Sequence, residues 1–134
     1  MGAYTYLDTT VRRDSNPALI GKRFVAVPDQ LVSLWANDRF PSGPLAGPSL
    51  AGGTRVIGRS AGDPANGFSV PAVTLVDAAI RYDLGAADPG LAGWQAAINA
   101  ANLFNRTTIA SCFAAGGCFY GNGRTVIASL GYLW

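Results

Sequence analysis

Apolar and mixed positions alternate most regularly at the carboxy end of the chain. Every second residue back from the end is apolar or aromatic, namely Trp134, Tyr132, Leu130, Ala128 and Val126. Because successive side chains of a strand point to opposite faces, this alternation predicts a strand over residues 124–134. An aromatic ending of this kind is typical of the girdle of a membrane barrel. A strand of a soluble sandwich fits this stretch alone equally well.

The same alternation recurs along the chain and predicts five further strands, separated by segments rich in Gly, Pro, Asn and Asp. The first runs to about residue 12, and the others cover residues 27–40, 50–58, 70–84 and 94–104. The expected fold is all-β, an antiparallel up-and-down meander of about six strands. Sequential neighbours are expected to pair, which leaves both outer strands with an open edge.

The fourth predicted strand shows how the two faces differ. One face carries Asp77, Arg81 and Asp83, and the other consists of Ala72, Thr74, Val76, Ala78, Ile80, Tyr82 and Leu84. Lipid outside and a polar lumen inside explain both faces. A soluble sandwich explains the apolar face, but its outer surface would be expected to carry more Lys and Glu.

Composition favours the membrane interpretation. Only 13% of the residues are charged, 49% are hydrophobic, there is no His, and the only lysine is Lys22. Glu is also absent, which is unusual for a surface in water. No apolar run approaches the roughly 18 residues of a transmembrane helix, so the predicted spans are strands. The net charge of +2 is too small to indicate nucleic acid as a partner.

The connections between the predicted strands differ in length. Those at residues 41–48 and 85–91 are short, whereas those around 13–26, 59–69 and 105–121 are longer. With six strands, the short connections all fall on one side of the sheet. Short periplasmic turns and long extracellular loops are the rule for outer-membrane barrels, so the long loops are expected outside the cell.

Two local patterns raise the question of chemistry. Gly58–Gly62 matches the G-x-S-x-G nucleophile elbow, but that serine needs a base, usually His, and the chain has none. Cys112 and Cys118 make a poor zinc site without further ligands. If their loop is extracellular, its oxidising surroundings favour a disulfide between them. No catalytic residue, metal site or cofactor is therefore predicted.

Several ordered motifs resemble the TonB-dependent siderophore receptors, and the resemblance spans essentially the whole chain. They are Val-Pro-Asp-Gln at 27–30, Ser-Leu-Trp-Ala at 33–36, and the segments 52–58, 70–78 and 99–105. The cysteine loop and the closing segment 121–126 resemble the ferrichrome (hydroxamate) branch. The family usually has Tyr in place of Asp38 and an aromatic residue in place of Val56, which puts local barrel packing in doubt there.

The resemblance implies that residues 1–134 are the carboxy-terminal part of a transmembrane barrel of roughly 22 strands. The amino-terminal plug, the TonB box and the signal peptide are expected to be absent from the chain. The implied function is a share in ferric siderophore uptake across the Gram-negative outer membrane, with the segment non-functional by itself. Iron would enter only as substrate, wrapped by the siderophore. A soluble β-sheet binding module is the alternative.

The implied partners are the ferric siderophore, outer-membrane lipid and the outer-membrane assembly machinery, with TonB and the plug reached only through the missing part. Candidate residues fall into three groups. The aromatic residues Phe113, Phe119 and Tyr120 either line the siderophore vestibule or pack the loop onto its neighbours. A lumen-facing network, solvated or in contact with the plug, would comprise Arg55, Asp77, Arg81, Asp83, Asn99 and Arg124. The assembly signal would be Leu130, Tyr132 and Trp134.

Overall fold

The computed structural model describes residues 1–40, 47–114 and 116–134. Its strands are β1 (Gly2–Tyr6), β2 (Gln30–Arg39), β3 (Pro48–Ile57), β4 (Ser60–Ala61), β5 (Ser69–Val70), β6 (Val73–Asp83), β7 (Trp94–Ala101), β8 (Ile109–Ala114), β9 (Gly117–Tyr120) and β10 (Thr125–Tyr132). Six of them form one sheet in the order β1-β2-β3-β6-β7-β10, and every neighbouring pair is antiparallel. The predicted meander is confirmed.

Two strands end three or more residues before the predicted end, and each has a local cause. β1 ends at Tyr6 rather than near residue 12, because Thr9 and Val11 bond instead to the returning segment at Phe24 and Lys22. β7 ends at Ala101 rather than at residue 104, because the next residue is left-handed, with a φ of 50°. Asn tolerates that conformation better than most residues.

Four short strands were not predicted. β4 pairs with β5, and β8 pairs with β9, so that each pair forms a small two-stranded ribbon within a connection of the main sheet. With two to six residues, these strands are too short to show a reliable period. The described helices are three single turns of 3₁₀ type. In the part of the chain that the structure describes, no helix has the length and hydropathy to cross a membrane.

Residue parity is constant across the six-stranded sheet. In all five ladders odd-numbered residues pair with odd-numbered ones, as in Ser33 with Arg55 and Ala79 with Asn99. Partners in a ladder project to the same side. The sheet therefore has an odd face and an even face, and the predicted polar residues of strand four all lie on the odd face.

The even face is largely apolar and exposed, although the exposed carboxylate of Asp38 in β2 also lies on it. Its large exposed side chains include Tyr4, Leu34, Leu50, Ile80, Ile98, Leu130 and Tyr132. The buried residues among those described are Ser60, Ala61, Gly62, Val70, Leu75, Asp77, Asn102 and Cys112. A sandwich would cover its apolar face with a second layer, and the described residues provide none.

The space that Trp35 occupies explains why glycine stands at position 53 of the sheet. Gly53 pairs with Trp35, and a Cβ atom at Gly53 would lie 2.5 Å from the indole ring. The ring lies against the bare backbone, which is a close approach of the kind that glycine within a strand permits.

The two ends of the sheet differ as predicted. Residues 7–29, 58–72 and 102–124 connect strands at one end, here called the loop end. At the other, the turn end, residues 84–93 connect β6 to β7 through two 3₁₀ turns capped by Asp83 and Asp88. The predicted turn at 41–48 lies mostly outside the described residues.

Candidate ligand-facing wall and loop

A polar hollow lies on the odd face near the turn end. It measures about 290 Å³ and is lined by Asn37, Arg39, Gly47, Ser49, Arg81, Asp83 and Gln95. A neighbouring hollow of about 160 Å³ includes Arg81 and Asn99. The structure thus brings together three of the predicted polar residues, Arg81, Asp83 and Asn99. Two guanidinium groups and one carboxylate give this part of the wall an excess of positive charge.

A second polar group lies on the odd face near the loop end. The guanidinium of Arg55 donates from Nε and Nη2 to the two carboxylate oxygens of Asp77, at 2.5 and 3.0 Å. Asp77 Oδ1 also accepts the backbone N–H of Asn102, at 2.8 Å. Asp77 is only 6% exposed, whereas the side chain of Arg55 is 41% exposed. The buried carboxylate is therefore satisfied, and the cation still reaches the surface of the odd face.

Asn102 connects that ion pair to the loop of residues 102–124, which joins β7 to β10. Its Oδ1 accepts the backbone N–H of Arg106 at 2.9 Å, and its Nδ2 donates to the carbonyls of Arg106 and Asn122 at 2.8 and 3.2 Å. With 3% exposure, Asn102 is buried. One side chain thus holds both the beginning and the end of the loop.

The disulfide ribbon lies within this loop. Cys112 and Cys118 are bonded to each other, as predicted, and they face each other across β8 and β9. Phe113 and Phe119 pack with their ring centroids 6.0 Å apart, and each is 61% exposed. Within the described residues both rings are exposed, and the choice between packing the loop onto its neighbours and lining the vestibule stays open. A contact with the siderophore stays a prediction.

Tyr120 is separate from the pair of phenylalanines. It is 74% exposed and lines a hollow of about 340 Å³. The other lining residues are Pro71, Ala72, Val73, Arg106, Thr107, Thr108 and Ile109. This hollow therefore combines the base of the loop with the start of β6, and it carries one aromatic ring and one cation.

Arg124 does not join the other predicted polar residues. It precedes β10 by one residue, and its number is even, like those of the apolar residues of β10. The alternation therefore gives no support to a position on the odd face. Its backbone N–H donates to Asn105 Oδ1 at 2.8 Å. The structure therefore connects the backbone of Arg124 to the loop, and a lumen-facing position of its side chain stays a prediction.

The predicted assembly residues end the even face. Leu130 and Tyr132 lie on β10, and Trp134 follows the strand. The rings of Tyr132 and Trp94 pack with centroids 5.3 Å apart, at the turn end of the sheet. Two adjacent amphipathic rings at one level agree with an interfacial girdle. The role of these residues in assembly stays a prediction.

Three loop asparagines were missed as connecting residues. Asn66, Asn102 and Asn105 have positive φ, and the side chain of each also bonds to a distant backbone group. Asn66 and Asn105 accept the N–H of Arg23 and Arg124, whereas Asn102 Nδ2 donates to the carbonyl of Asn122. The sequence signal was the tolerance of Asn for the left-handed conformation. No period or motif in the sequence identifies the distant partner of any of the three.

Comparisons with known proteins agree with this architecture. Residues 1–103 match the family described as TonB dependent receptor-like, beta-barrel. The chain is 45% identical over 129 residues to the ferrichrome outer membrane transporter/phage receptor of Escherichia coli strain K12. The aligned segment covers 96% of this chain and 17% of that protein. It is 34% identical over 130 residues to the ferrioxamine B receptor of Salmonella typhimurium, covering 97% of this chain and 18% of the receptor.

Solved structures give the same result. The ferric preacinetobactin receptor BauA from Acinetobacter baumannii superposes with a TM-score of 0.77 and 25% identity, over 96% of this chain and 18% of the receptor. The siderophore receptor PiuA from the same species has a TM-score of 0.77 at 20% identity, which shows the fold. The chain spans less than a fifth of the length of these relatives.

Proposed function

Because the chain belongs to the TonB-dependent receptor β-barrel family, we propose that residues 1–134 form the carboxy-terminal part of the wall of an outer-membrane receptor for ferric siderophores. The observation that carries this proposal is the division of one sheet into an exposed, largely apolar face and a mixed face that carries Asn37, Arg39, Arg55, Asp77, Arg81, Asp83 and Asn99. Lipid covers the first in a barrel, and the second borders the lumen. A soluble module would leave the apolar face in water, at a large cost in free energy.

The substrate class that we propose is a ferrichrome-like hydroxamate complex of ferric iron. Its support is the 45% identity to a protein named as a ferrichrome transporter. The described residues include no group of three or more His, Cys, Asp or Glu suited to a metal. We propose that iron arrives only as part of the substrate, wrapped by the siderophore's own oxygens, so that the receptor supplies shape and polarity. Phe113, Phe119 and Tyr120 at the loop end would contact that substrate.

The remaining partners follow from the orientation of the sheet. With the loop end outside the cell, the hollow around Arg39 and Arg81 faces the periplasmic half of the lumen. A plug domain and TonB would act through parts of the receptor beyond residues 1–134. The relatives are named as transporters and receptors, and we propose no enzymatic activity for this segment.

A chimera tests the proposal. Residues 1–134 replace the matching segment of the E. coli ferrichrome transporter, and uptake of iron-loaded ferrichrome is measured in a receptor-deletion strain. We expect uptake well above the deletion background and a chimera that resists sodium carbonate extraction. Correct insertion without ferrichrome uptake would contradict the substrate class. Release of the free segment into the soluble fraction, together with failure of the chimera to insert, would favour the soluble module.

A further inference from the structure

Three asparagines at the loop end share one unusual geometry. Among the described residues, positive φ outside glycine occurs at Ala26, Asn66, Asn102 and Asn105. Each of these asparagines accepts the backbone N–H of an arginine, at 2.7 Å from Arg23, 2.9 Å from Arg106 and 2.8 Å from Arg124. A left-handed asparagine that accepts a backbone N–H is thus repeated in these loops. Asn66 and Asn105 accept it from a distant segment, and Asn102 reaches its distant partner, Asn122, through Nδ2.

Asn102 is the best supported of the three. Its carboxamide bonds to the N–H and the carbonyl of Arg106 and to the carbonyl of Asn122. Asn105 adds a second tie, to the N–H of Arg124. The two asparagines therefore close the loop at its base, below the disulfide ribbon that carries the exposed aromatic residues.

The same residue also connects the loop to the wall. The backbone N–H of Asn102 donates to buried Asp77, whose charge Arg55 compensates, and the N–H of Leu103 donates to the carbonyl of Val76 at 2.8 Å. A charge-assisted bond of this type is stronger than a neutral one. Since Asn102 is itself 3% exposed, it is inaccessible to a ligand in the lumen.

We propose that Asn102 is a positioning residue, which holds the disulfide ribbon in a fixed orientation over the wall and thereby sets the affinity for the ferric siderophore. This inference rests on the proposed function. The side chain acts through the ribbon, by reducing the conformational freedom that the loop loses when it closes on the ligand. Asp77 supports it by fixing the backbone of Asn102.

The test uses the chimeric receptor with Asn102→Gly. Glycine adopts the same φ without strain and keeps the backbone donor to Asp77, so only the carboxamide is lost. Hydrogen exchange of the Arg106 amide is followed by mass spectrometry, and ferrichrome affinity by equilibrium binding. We expect about tenfold faster exchange and about tenfold weaker binding, with uptake at saturating ferrichrome unchanged.

Asn66→Gly is the matched control. Asn66 has a φ of 57° and makes the same two bonds to the backbone of Arg23. Its loss should accelerate exchange at Arg23 and leave the Arg106 amide unchanged. If Asn102→Gly fails to insert, Asn105→Gly replaces it, since that variant removes only the tie to Arg124 and should accelerate exchange there with a smaller loss of affinity.

The outcomes separate this inference from the proposed function. Unchanged exchange at the Arg106 amide in Asn102→Gly would show that the Asn102 side chain does not hold the loop. That result would overturn the inference whatever the receptor binds. Faster exchange with unchanged ferrichrome affinity would overturn the positioning role. If the unsubstituted chimera inserts but binds no ferrichrome, the proposed substrate class is wrong, and the predicted effect on affinity is wrong with it. Hydrogen exchange of the Arg106 amide still decides whether Asn102 holds the loop.

Discussion

Asp77 is the one charged side chain among the buried residues that the structure describes. A buried carboxylate is tolerated only when charge and hydrogen bonds compensate its lost hydration. Arg55 supplies the charge and two donors, and Asn102 supplies a third donor. One residue of β6 thereby connects β3 and the end of β7, and the ion pair is a structural joint as much as a polar part of the wall.

Replacing Asp77 should destabilise the barrel more than replacing another odd-face carboxylate. Asp77→Ala leaves the Asn102 N–H and the guanidinium without this partner. Because the Arg55 side chain is 41% exposed, water offsets part of the loss, and we expect about 1–3 kcal/mol. Asp83→Ala removes only a bond to the Gly85 N–H, and should cost less. Denaturant unfolding of the chimera in lipid vesicles measures the free energy of unfolding of both variants. Equal losses would contradict the role of Asp77 in connecting β3 with the end of β7.

The β6 strand shows what the two faces require. Val76 and Ala78 lie on the even face, and Ala79 lies on the odd face beside the polar hollow. A cation on the even face would meet hydrocarbon if that face is covered by lipid, whereas a cation on the odd face would meet lumen water. The element therefore offers a comparison of adjacent residues with opposite surroundings.

Charge substitutions in β6 should separate the faces. Val76→Arg or Ala78→Arg in the chimera should destabilise the barrel by up to about 2–4 kcal/mol at mid-depth. Ala79→Arg is the matched control and should be milder. Unfolding in lipid vesicles and the amount of inserted protein are the measurements. Equal damage from Ala78→Arg and Ala79→Arg would mean that the lipid and lumen faces are assigned wrongly.

The disulfide should stabilise its ribbon rather than the barrel. A ring that joins Cys112 and Cys118 contributes about 2 kcal/mol in the chain-entropy account, and both cysteines lie in a two-stranded ribbon that is separate from the six-stranded sheet. We expect Cys112→Ser with Cys118→Ser to leave insertion unchanged and to raise protease cleavage after Arg106. Thiol labelling of the oxidised parent chimera should find no free cysteine from this loop. Two readily alkylated thiols would contradict an extracellular loop.

At the scale of the whole molecule, the sequence predicted what depends on a period and missed what depends on distant partners. Two-residue alternation predicted the six strands of the sheet and the contrast between its faces. It missed the pairing of Arg55 with Asp77, because these residues are diagonal across the ladder: Arg55 lies opposite Leu75, and Asp77 opposite Gly53. The asparagine ties were missed for the same reason. Their partners are fixed by tertiary structure and leave no local pattern.

The two outer edges lead to the last prediction. In the sheet formed by residues 1–134, β1 and β10 are the outer strands, and each is paired on one side only. An unpaired N–H or C=O group in hydrocarbon costs several kcal/mol, so spanning sheets close into barrels. The smallest bacterial barrels have about eight strands, which is more than this sheet contains. The segment needs the rest of a receptor to close it.

Expressed alone behind a signal peptide, residues 1–134 should therefore import nothing. The segment keeps the aromatic ending at Tyr132 and Trp134 that we expect to direct outer-membrane assembly, so it should reach the assembly machinery without forming a transporter. Uptake of iron-loaded ferrichrome in a receptor-deletion strain is the measurement, and the chimera, which supplies the missing wall, is the positive control. Uptake by the segment above the deletion background would show that its edges close in another way, such as a ring of several copies. Such a ring is geometrically permitted, because β1 and β10 point in opposite directions, so that β10 of one copy would meet β1 of the next in antiparallel register.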